Sequence, residues 1–288
     1  MHDQKKIFSP AKVNLYLEVL SKNKNGFHNL NSMMCFCDIG DYVSIEMSNK
    51  FSIEIIGPFS KFLRNYENNL ITIALKKFEK IVKKKFLVKI FLYKNLPIGS
   101  GLGGGSSNAA VVIKEIIKIY NVTIAKNMLD KFLLSVGSDI PFCFYGKTSV
   151  VSGSGNILKP IKNFNEIFIL LVNPMIEIPT EEIFNKVKIF NCKPSNFVDK
   201  KDSYKNFIKF LSNAKNDLES TAVKLYPEVG SILSTFGNTR ADLKRMSGSG
   251  GTCFGLFRSK KDLTDAEKLF LSLKNKWWIK KGKILNYI

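Results

Sequence analysis

Residues 97–110 read PIGSGLGGGSSNAA, with glycine at 99, 101, 103, 104 and 105. Five glycines in seven positions cannot serve helix or strand stability, because glycine loses more backbone freedom on folding than any other residue. What they offer is positive φ and close approach of the backbone to a neighbour or a ligand. Upstream, residues 86–93 (FLVKIFLY) read as a strand. Downstream, Ala109, Ala110, Ile113, Ile116, Ile117 and Tyr120 mark one face of a helix. A strand, a glycine turn and a helix aim several N–H groups and the helix dipole at one point, an arrangement that binds phosphate. A flexible surface turn is the rival reading, and the well-patterned flanks weigh against it.

Two familiar phosphate motifs do not account for this stretch. Gly99, Gly101 and Gly104 satisfy G-x-G-x-x-G, but no acidic residue ends a strand about 20 positions on, as a dinucleotide site requires. A Walker A loop needs Lys then Ser or Thr after its last glycine, and here Gly105 leads directly into Ser106 and Ser107. The HRD and DFG signatures of protein kinases do not occur in the chain.

Working outward, Val13, Leu15, Leu17 and Val19 alternate with Lys12, Asn14, Tyr16 and Glu18, the pattern of a half-buried strand. Lys12 and Asn14 therefore point the same way, which alone is ordinary surface chemistry. Residues 137–142 (GSDIPF) read either as a helix stop with Asp139 capping a short helix, or as a carboxylate placed for chemistry. Residues 25–28 (NGFH) read as a turn between strands. Residues 247–252 (SGSGGT) form a second glycine turn, leading into an apolar strand at 252–257.

Taken together, these blocks resemble the GHMP kinases. That family opens with P-A-K-x-N-L, matched by residues 10–15, and wraps ATP phosphates with a loop matched by residues 97–110. Six blocks in the family's order run from residue 10 to about 257. The triple glycine and the Gly-Phe-His segment are similar to the members that phosphorylate the 2-hydroxyl of 4-(cytidine 5'-diphospho)-2-C-methyl-D-erythritol, in the non-mevalonate route to isoprenoid precursors. Homoserine- and mevalonate-type kinases are the nearest alternative.

The resemblance implies a two-domain α+β chain with the active site in the cleft between its halves. Residues 1–160 would form a ribosomal S5 domain 2-like N-terminal domain, and residues 161–288 a ferredoxin-like C-terminal domain. It implies Lys12 and Asp139 as catalytic residues, the aspartate as proposed general base. Pro97, Gly99, Ser100, Gly101, Leu102, Gly103, Gly104, Gly105, Ser106, Ser107 and Asn108 would bind ATP, with Ser107 also a candidate contact for Mg²⁺. Asn14, Phe27, His28, Thr180 and Phe184 would bind the acceptor, Phe27 and Phe184 by stacking on its cytosine. An aromatic face supports a base for about 1–3 kcal/mol. Asn25 stands where the family commonly has Asp, and Phe27 lacks the hydroxyl of the alternative Tyr. Residues 216–219 (NDLE) also match a family segment, without a physical reason in the sequence beyond a helix start. Asn156 stands where the family often has Glu and receives no role.

Composition sets the frame. The 288 residues suit about two domains, and 45% hydrophobic content with 23 Phe excludes a disordered chain. Five cysteines without a C-x-x-C pair, and only His2 and His28 beside them, read as reduced structural thiols rather than a metal knuckle. No apolar run approaches the ~20 residues of a membrane span, and the N-terminus lacks a signal-peptide core, so a cytoplasmic protein is expected. The formal charge of +20 invites an RNA-binding reading, helped by the tail Trp277-Trp278-Ile279-Lys280-Lys281. Yet residues 97–110 and 137–142 contain no Lys, and the excess sits at 76–85 and 274–283. Small-molecule substrates only, no nucleic acid and no membrane are expected, in a monomer or homodimer with no bound organic cofactor.

Overall fold

The computed structural model describes residues 5–23, 28–63, 69–161, 166–187, 193–197, 204–273 and 276–288. Its contacts divide the chain into two compact units, and these are not consecutive halves. One unit takes residues 1–11, 40–98 and 103–146, the other 12–39, 99–102 and 147–288. The expected boundary at 160 falls instead between two strands of the second unit. The interleaving arises because the first two strands are long: β1 (Ile7–Lys22) and β2 (His28–Met47) each contribute residues to both units. β2 also corrects an expectation. The sequence reads as separate strands at 32–38 and 42–47, but the strand is continuous. Gly40 is there because a Cβ would come within 2.3 Å of Ser9 O, so the backbone of β1 passes directly over it.

In the first unit, β2 pairs antiparallel with β4 (Val88–Tyr93), and β4 pairs parallel with β3 (Ser52–Ile56). Alternation decides the faces: Val88, Ile90 and Leu92 are buried, while Tyr93 is exposed. Three helices carry the apolar partners of that face. α1 (Leu70–Val82) buries Ile71, Ala74, Leu75 and Phe78, the i, i+3, i+4, i+7 stripe of an amphipathic helix. Asn69 caps it, its side chain accepting from Ile71 N at 2.9 Å. α2 (Gly104–Ile119) and α3 (Lys126–Val136) complete the core, with Phe78 and Phe132 4.9 Å apart between centroids. The short α4 (Ile140–Tyr145) follows.

The second unit adds β5 (Ser149–Gly153), β6 (Ile157–Pro160) and β7 (Phe168–Asn173), then α5 (Thr180–Asn185) and α6 (Tyr204–Asn213). α7 (Glu219–Leu225), α8 (Pro227–Gly237), β8 (Leu243–Met246), β9 (Cys253–Phe257), α9 (Lys260–Ser272) and β10 (Trp278–Leu285) follow. The order β10-β7-β9-β8 is antiparallel throughout. Leu170, Val172, Val229, Ile232, Phe236, Leu263 and Phe270 meet in one apolar cluster beneath it. β5, β6 and β8 lie outside the elements read from sequence, being short and weakly patterned, whereas α7 begins at the helix start read at 216–219. Cys35, Cys37, Cys143 and Cys253 are buried and not disulfide-bonded, and burial pushes the Cys37 thiol up to about 12. Burial raises the Cys35 and Cys253 thiols likewise, and thiols so shifted stay protonated and unreactive. Among the described residues no helix is long and apolar enough to cross a membrane.

Candidate active site

The second unit holds Lys12 and Asn14, brought to one side of β1 by its two-residue period. Both side chains are buried, Lys12 being 4% and Asn14 1% exposed. Lys12 Nζ donates to Asn14 Oδ1 at 2.8 Å, and Asn14 Nδ2 donates to Ser32 Oγ at 2.8 Å. The amide is thus fixed with its oxygen toward the ammonium. Main-chain bonds then tie this strand to the glycine segment: Lys12 N donates to Leu102 O at 2.8 Å. Asn14 N donates to Ser247 Oγ at 3.1 Å, and that hydroxyl donates to Gly101 O at 3.0 Å. Thr252 N donates to Ser100 O at 3.1 Å. The second glycine turn therefore grips the first. Gly101 has φ +73°, and a Cβ there would lie 2.4 Å from Ser247 O and 2.7 Å from Gly250 O. Backbone meets backbone, and only glycine fits.

Also in this unit, the His28 and Phe184 rings lie 5.0 Å apart between centroids at 32°. The sequence reading assigned both to one ligand, and the structure brings them into contact. Burial lowers the His28 pKa, with the Lys22 charge adding to it, so the ring is mostly neutral at pH 7. Thr180 is exposed, its Oγ1 2.8 Å from Ser249 Oγ in the second glycine turn. Phe27, with Asn25 and Gly26, lies outside the described residues.

In the first unit, Gly103 occupies the N-cap of α2 in the left-handed region, and no side chain caps the helix. No acidic residue stands in the first turn, so Gly104, Gly105 and Ser106 open a helix whose positive end is left for an anion. Behind them Ser107 and Asn108 are buried. Ser9 Oγ donates to Asn108 Oδ1 at 2.7 Å and lies 2.9 Å from Ser107 Oγ. Pro97 is buried at the entry to the segment, and Gly99 is exposed. Asp139, half-buried, precedes α4 and uses its carbonyl, which accepts from Cys143 N at 3.0 Å. Its carboxylate makes no hydrogen bond capping that helix.

Sequence reasoning left residues 216–219 without a rationale, and the structure supplies one. Asn216 Nδ2 donates to Met246 O and Gly248 O, both at 2.8 Å, and its Oδ1 accepts from Leu218 N at 3.0 Å. Asp217 Oδ2 accepts from Val19 N at 2.8 Å, and Glu219 Oε2 accepts from Met246 N at 2.7 Å. Arg245, missed altogether, is buried and donates to Leu15 O, Leu211 O and Ala214 O. These side chains hold the second glycine turn and β1 in place. An Asx turn at Asn216 was the available sequence signal.

Comparison with known proteins gives the family. The family model described as GHMP kinases N terminal domain matches residues 69–147, and GHMP kinases C terminal matches residues 200–280. A protein of Chelativorans sp. (strain BNC1) named 4-diphosphocytidyl-2-C-methyl-D-erythritol kinase is 31% identical, covering 94% of this chain and 93% of that one. A protein of the same name from Paramagnetospirillum magneticum (strain ATCC 700264 / AMB-1) is 32% identical over 97% of this chain and 98% of its own. A crystal structure of 4-(cytidine 5'-diphospho)-2C-methyl-D-erythritol kinase superposes with a TM-score of 0.76 at 25% identity, covering 97% of this chain and 99% of that one.

Proposed function

The chain belongs to the GHMP kinases, in the 4-diphosphocytidyl-2-C-methyl-D-erythritol kinase family, and on that premise we propose how its residues carry the reaction. It phosphorylates the 2-hydroxyl of 4-(cytidine 5'-diphospho)-2-C-methyl-D-erythritol, with ATP as co-substrate. The oxygen of that hydroxyl bonds to the γ-phosphorus while the bond from that phosphorus to the bridging oxygen of ADP breaks. The hydroxyl proton must leave in the same event, and Asp139 is its acceptor. Lys12 stabilises the charge on the attacking and transferring oxygens, in line with the largely electrostatic catalysis of phosphoryl transfer. The observation that carries this reading is the buried Lys12–Asn14 pair, tied through Lys12 N and Ser247 to the tip of the glycine segment.

In this reading residues 97–108 bind the triphosphate, the N–H groups opening α2 receiving phosphate oxygens. Mg²⁺ enters as part of the nucleotide substrate. Among the described residues no group of three His, Cys, Asp or Glu could hold a metal by itself, and Mg²⁺ is commonly held largely by substrate phosphates. A neutral hydroxyl such as Ser107 would add one contact. His28, Phe27, Phe184 and Thr180 receive the cytidine end, a neutral imidazole suiting the edge of a neutral base. In this reading the first 160 residues supply the nucleotide loop, both catalytic groups and Asn14, Phe27 and His28 of the acceptor site, while Thr180 and Phe184 come from the remainder. No nucleic acid enters this reading, and the positive field serves to draw in two polyphosphate substrates.

A coupled ADP-release assay with the cytidyl substrate, homoserine and mevalonate tests this directly. Turnover is expected with the cytidyl substrate alone; turnover with mevalonate instead would sink the acceptor assignment. Asp139→Asn should lower kcat by about 10²–10⁴, and Lys12→Met by about 10²–10³, while ATP binding survives in both. Near-normal kcat in Asp139→Asn would remove it as the base.

A further inference from the structure

Beneath the first turn of α2 lies a buried charge pair that the reaction above does not use. Asp41, 0% exposed, sits on β2, and Lys94, 4% exposed, directly follows β4, with Lys94 Nζ 2.5 Å from Asp41 Oδ2. The carboxylate has further duties. Its Oδ1 accepts from Asn95 N at 2.7 Å and Leu96 N at 2.9 Å, the two residues before Pro97. Its Oδ2 also accepts from Asn108 Nδ2 at 3.1 Å, on α2. One side chain thus fastens both the entry to the glycine segment and the helix that leaves it. The pair is also close to the helix opening: a Cβ on Gly104 would lie 3.0 Å from Lys94 Nζ and 3.5 Å from Asp41 Oδ2.

An ionised carboxylate there would be a poor neighbour for a triphosphate. Buried charges are weakly screened, and a negative group under the first turn opposes the positive helix end that draws the anion. Lys94 cancels that charge. Burial lowers its pKa, and Asp41, by charge and hydrogen bond, offsets part of that shift. We propose that Lys94 is a positioning residue of the nucleotide site, neutralising Asp41 so that the carboxylate can brace the loop without repelling the phosphates. Lys94 touches neither substrate nor the reacting atoms in this scheme. It acts through Asp41, and the pair makes a rigid brace electrically silent.

The proposal rests on residues 97–108 binding the nucleotide's phosphates. It predicts effects of opposite sign from the two halves of one pair, which a merely structural role would not produce. Titrations with ATP, ADP and adenosine would be run on the wild type, Lys94→Met, Asp41→Asn and the double variant, each checked for folding by circular dichroism. Lys94→Met should weaken ATP by roughly tenfold or more, ADP less and adenosine little, since the exposed anion acts on phosphate charge. Asp41→Asn leaves a lone cation, so its preference for ATP over adenosine should be kept or increased. The double variant, near-isosteric and neutral, should recover most of the ATP affinity lost in Lys94→Met. If Lys94→Met does not fold, the other two variants still decide. Loss of the ATP preference in Asp41→Asn, or in the double variant, would overturn the proposal, as would equal weakening of all three ligands by Lys94→Met. A wild type that binds ATP but leaves the cytidyl acceptor untouched would sink the acceptor assignment and leave this test standing.

Discussion

The glycine-rich segment is one continuous stretch of chain held by two different kinds of chemistry. Gly99–Leu102 belongs to the second compact unit, and its main chain is bonded to Lys12 N, to Ser247 Oγ and to Thr252 N. From Gly103 onward the segment belongs to the first unit, and its supports are side chains: Asp41, Lys94, Asn108 and Ser9. The first half depends on absence, since a glycine leaves room for a neighbour's carbonyl. The second depends on charge and on a helix end. Backbone contacts cannot yield without moving a whole turn, whereas a side-chain brace can rearrange by rotamers. Damage to the two halves should therefore differ in kind as well as in size.

The hardest test of that contrast is Gly101→Ala. The left-handed backbone alone costs a non-glycine residue about 1–2 kcal/mol, and the added methyl would meet Ser247 O and Gly250 O, which are both main chain. Turnover should fall to near the limit of detection, with a clear drop in Tm by calorimetry. An alanine variant with ordinary kcat and unchanged Tm would show that the grip of the second glycine turn is looser than its geometry says.

A smaller break comes from Ser247→Ala. Its hydroxyl accepts from Asn14 N and donates to Gly101 O, so its removal leaves a buried N–H without that acceptor. Such a loss costs about 1–3 kcal/mol. Because the same bond connects the Lys12–Asn14 strand to the loop, kcat should fall more than KM for ATP rises. Steady-state kinetics in both substrates would read this; a pure KM effect would mean that Ser247 supports binding alone.

These two halves were not equally legible from the sequence. PIGSGLGGGSSNAA announces itself, because no packing need explains five glycines, and the alternation around Lys12 and Asn14 gives a strand. The α1 stripe and an Asn cap at 68 or 69 were readable for the same reason, both being local patterns, and the cap is Asn69. Asp41 and Lys94 were not. They are 53 residues apart, and each looks like a solvated charge at a strand. Their burial follows from the pairing of β2 with β4, which no local window contains. Arg245 hid likewise, as a cation on the short β8 whose three carbonyl acceptors come from elsewhere in the chain. The interleaving of the units was invisible because the gap between the strands read at 32–38 and 42–47 is not a break in β2.

The gentlest probe is Gly104→Ala, in the half held by side chains. Here the new Cβ would come 3.0 Å from Lys94 Nζ and 3.2 Å from Leu96 Cδ1. Both are ends of flexible side chains, unlike the carbonyls that confront Gly101. Gly104 is moreover the first residue of α2, where alanine gains up to about 1 kcal/mol in helix propensity. That gain opposes the cost of moving a buried ammonium a few tenths of an ångström. Tm should therefore change little in either direction, in contrast to Gly101→Ala. The displaced charge should be felt instead in the nucleotide, as a rise of roughly twofold to fivefold in KM for ATP with the acceptor KM unchanged. A Tm loss as large as that of Gly101→Ala would show that the brace under α2 is as unyielding as the backbone grip, and the distinction between the two halves would disappear.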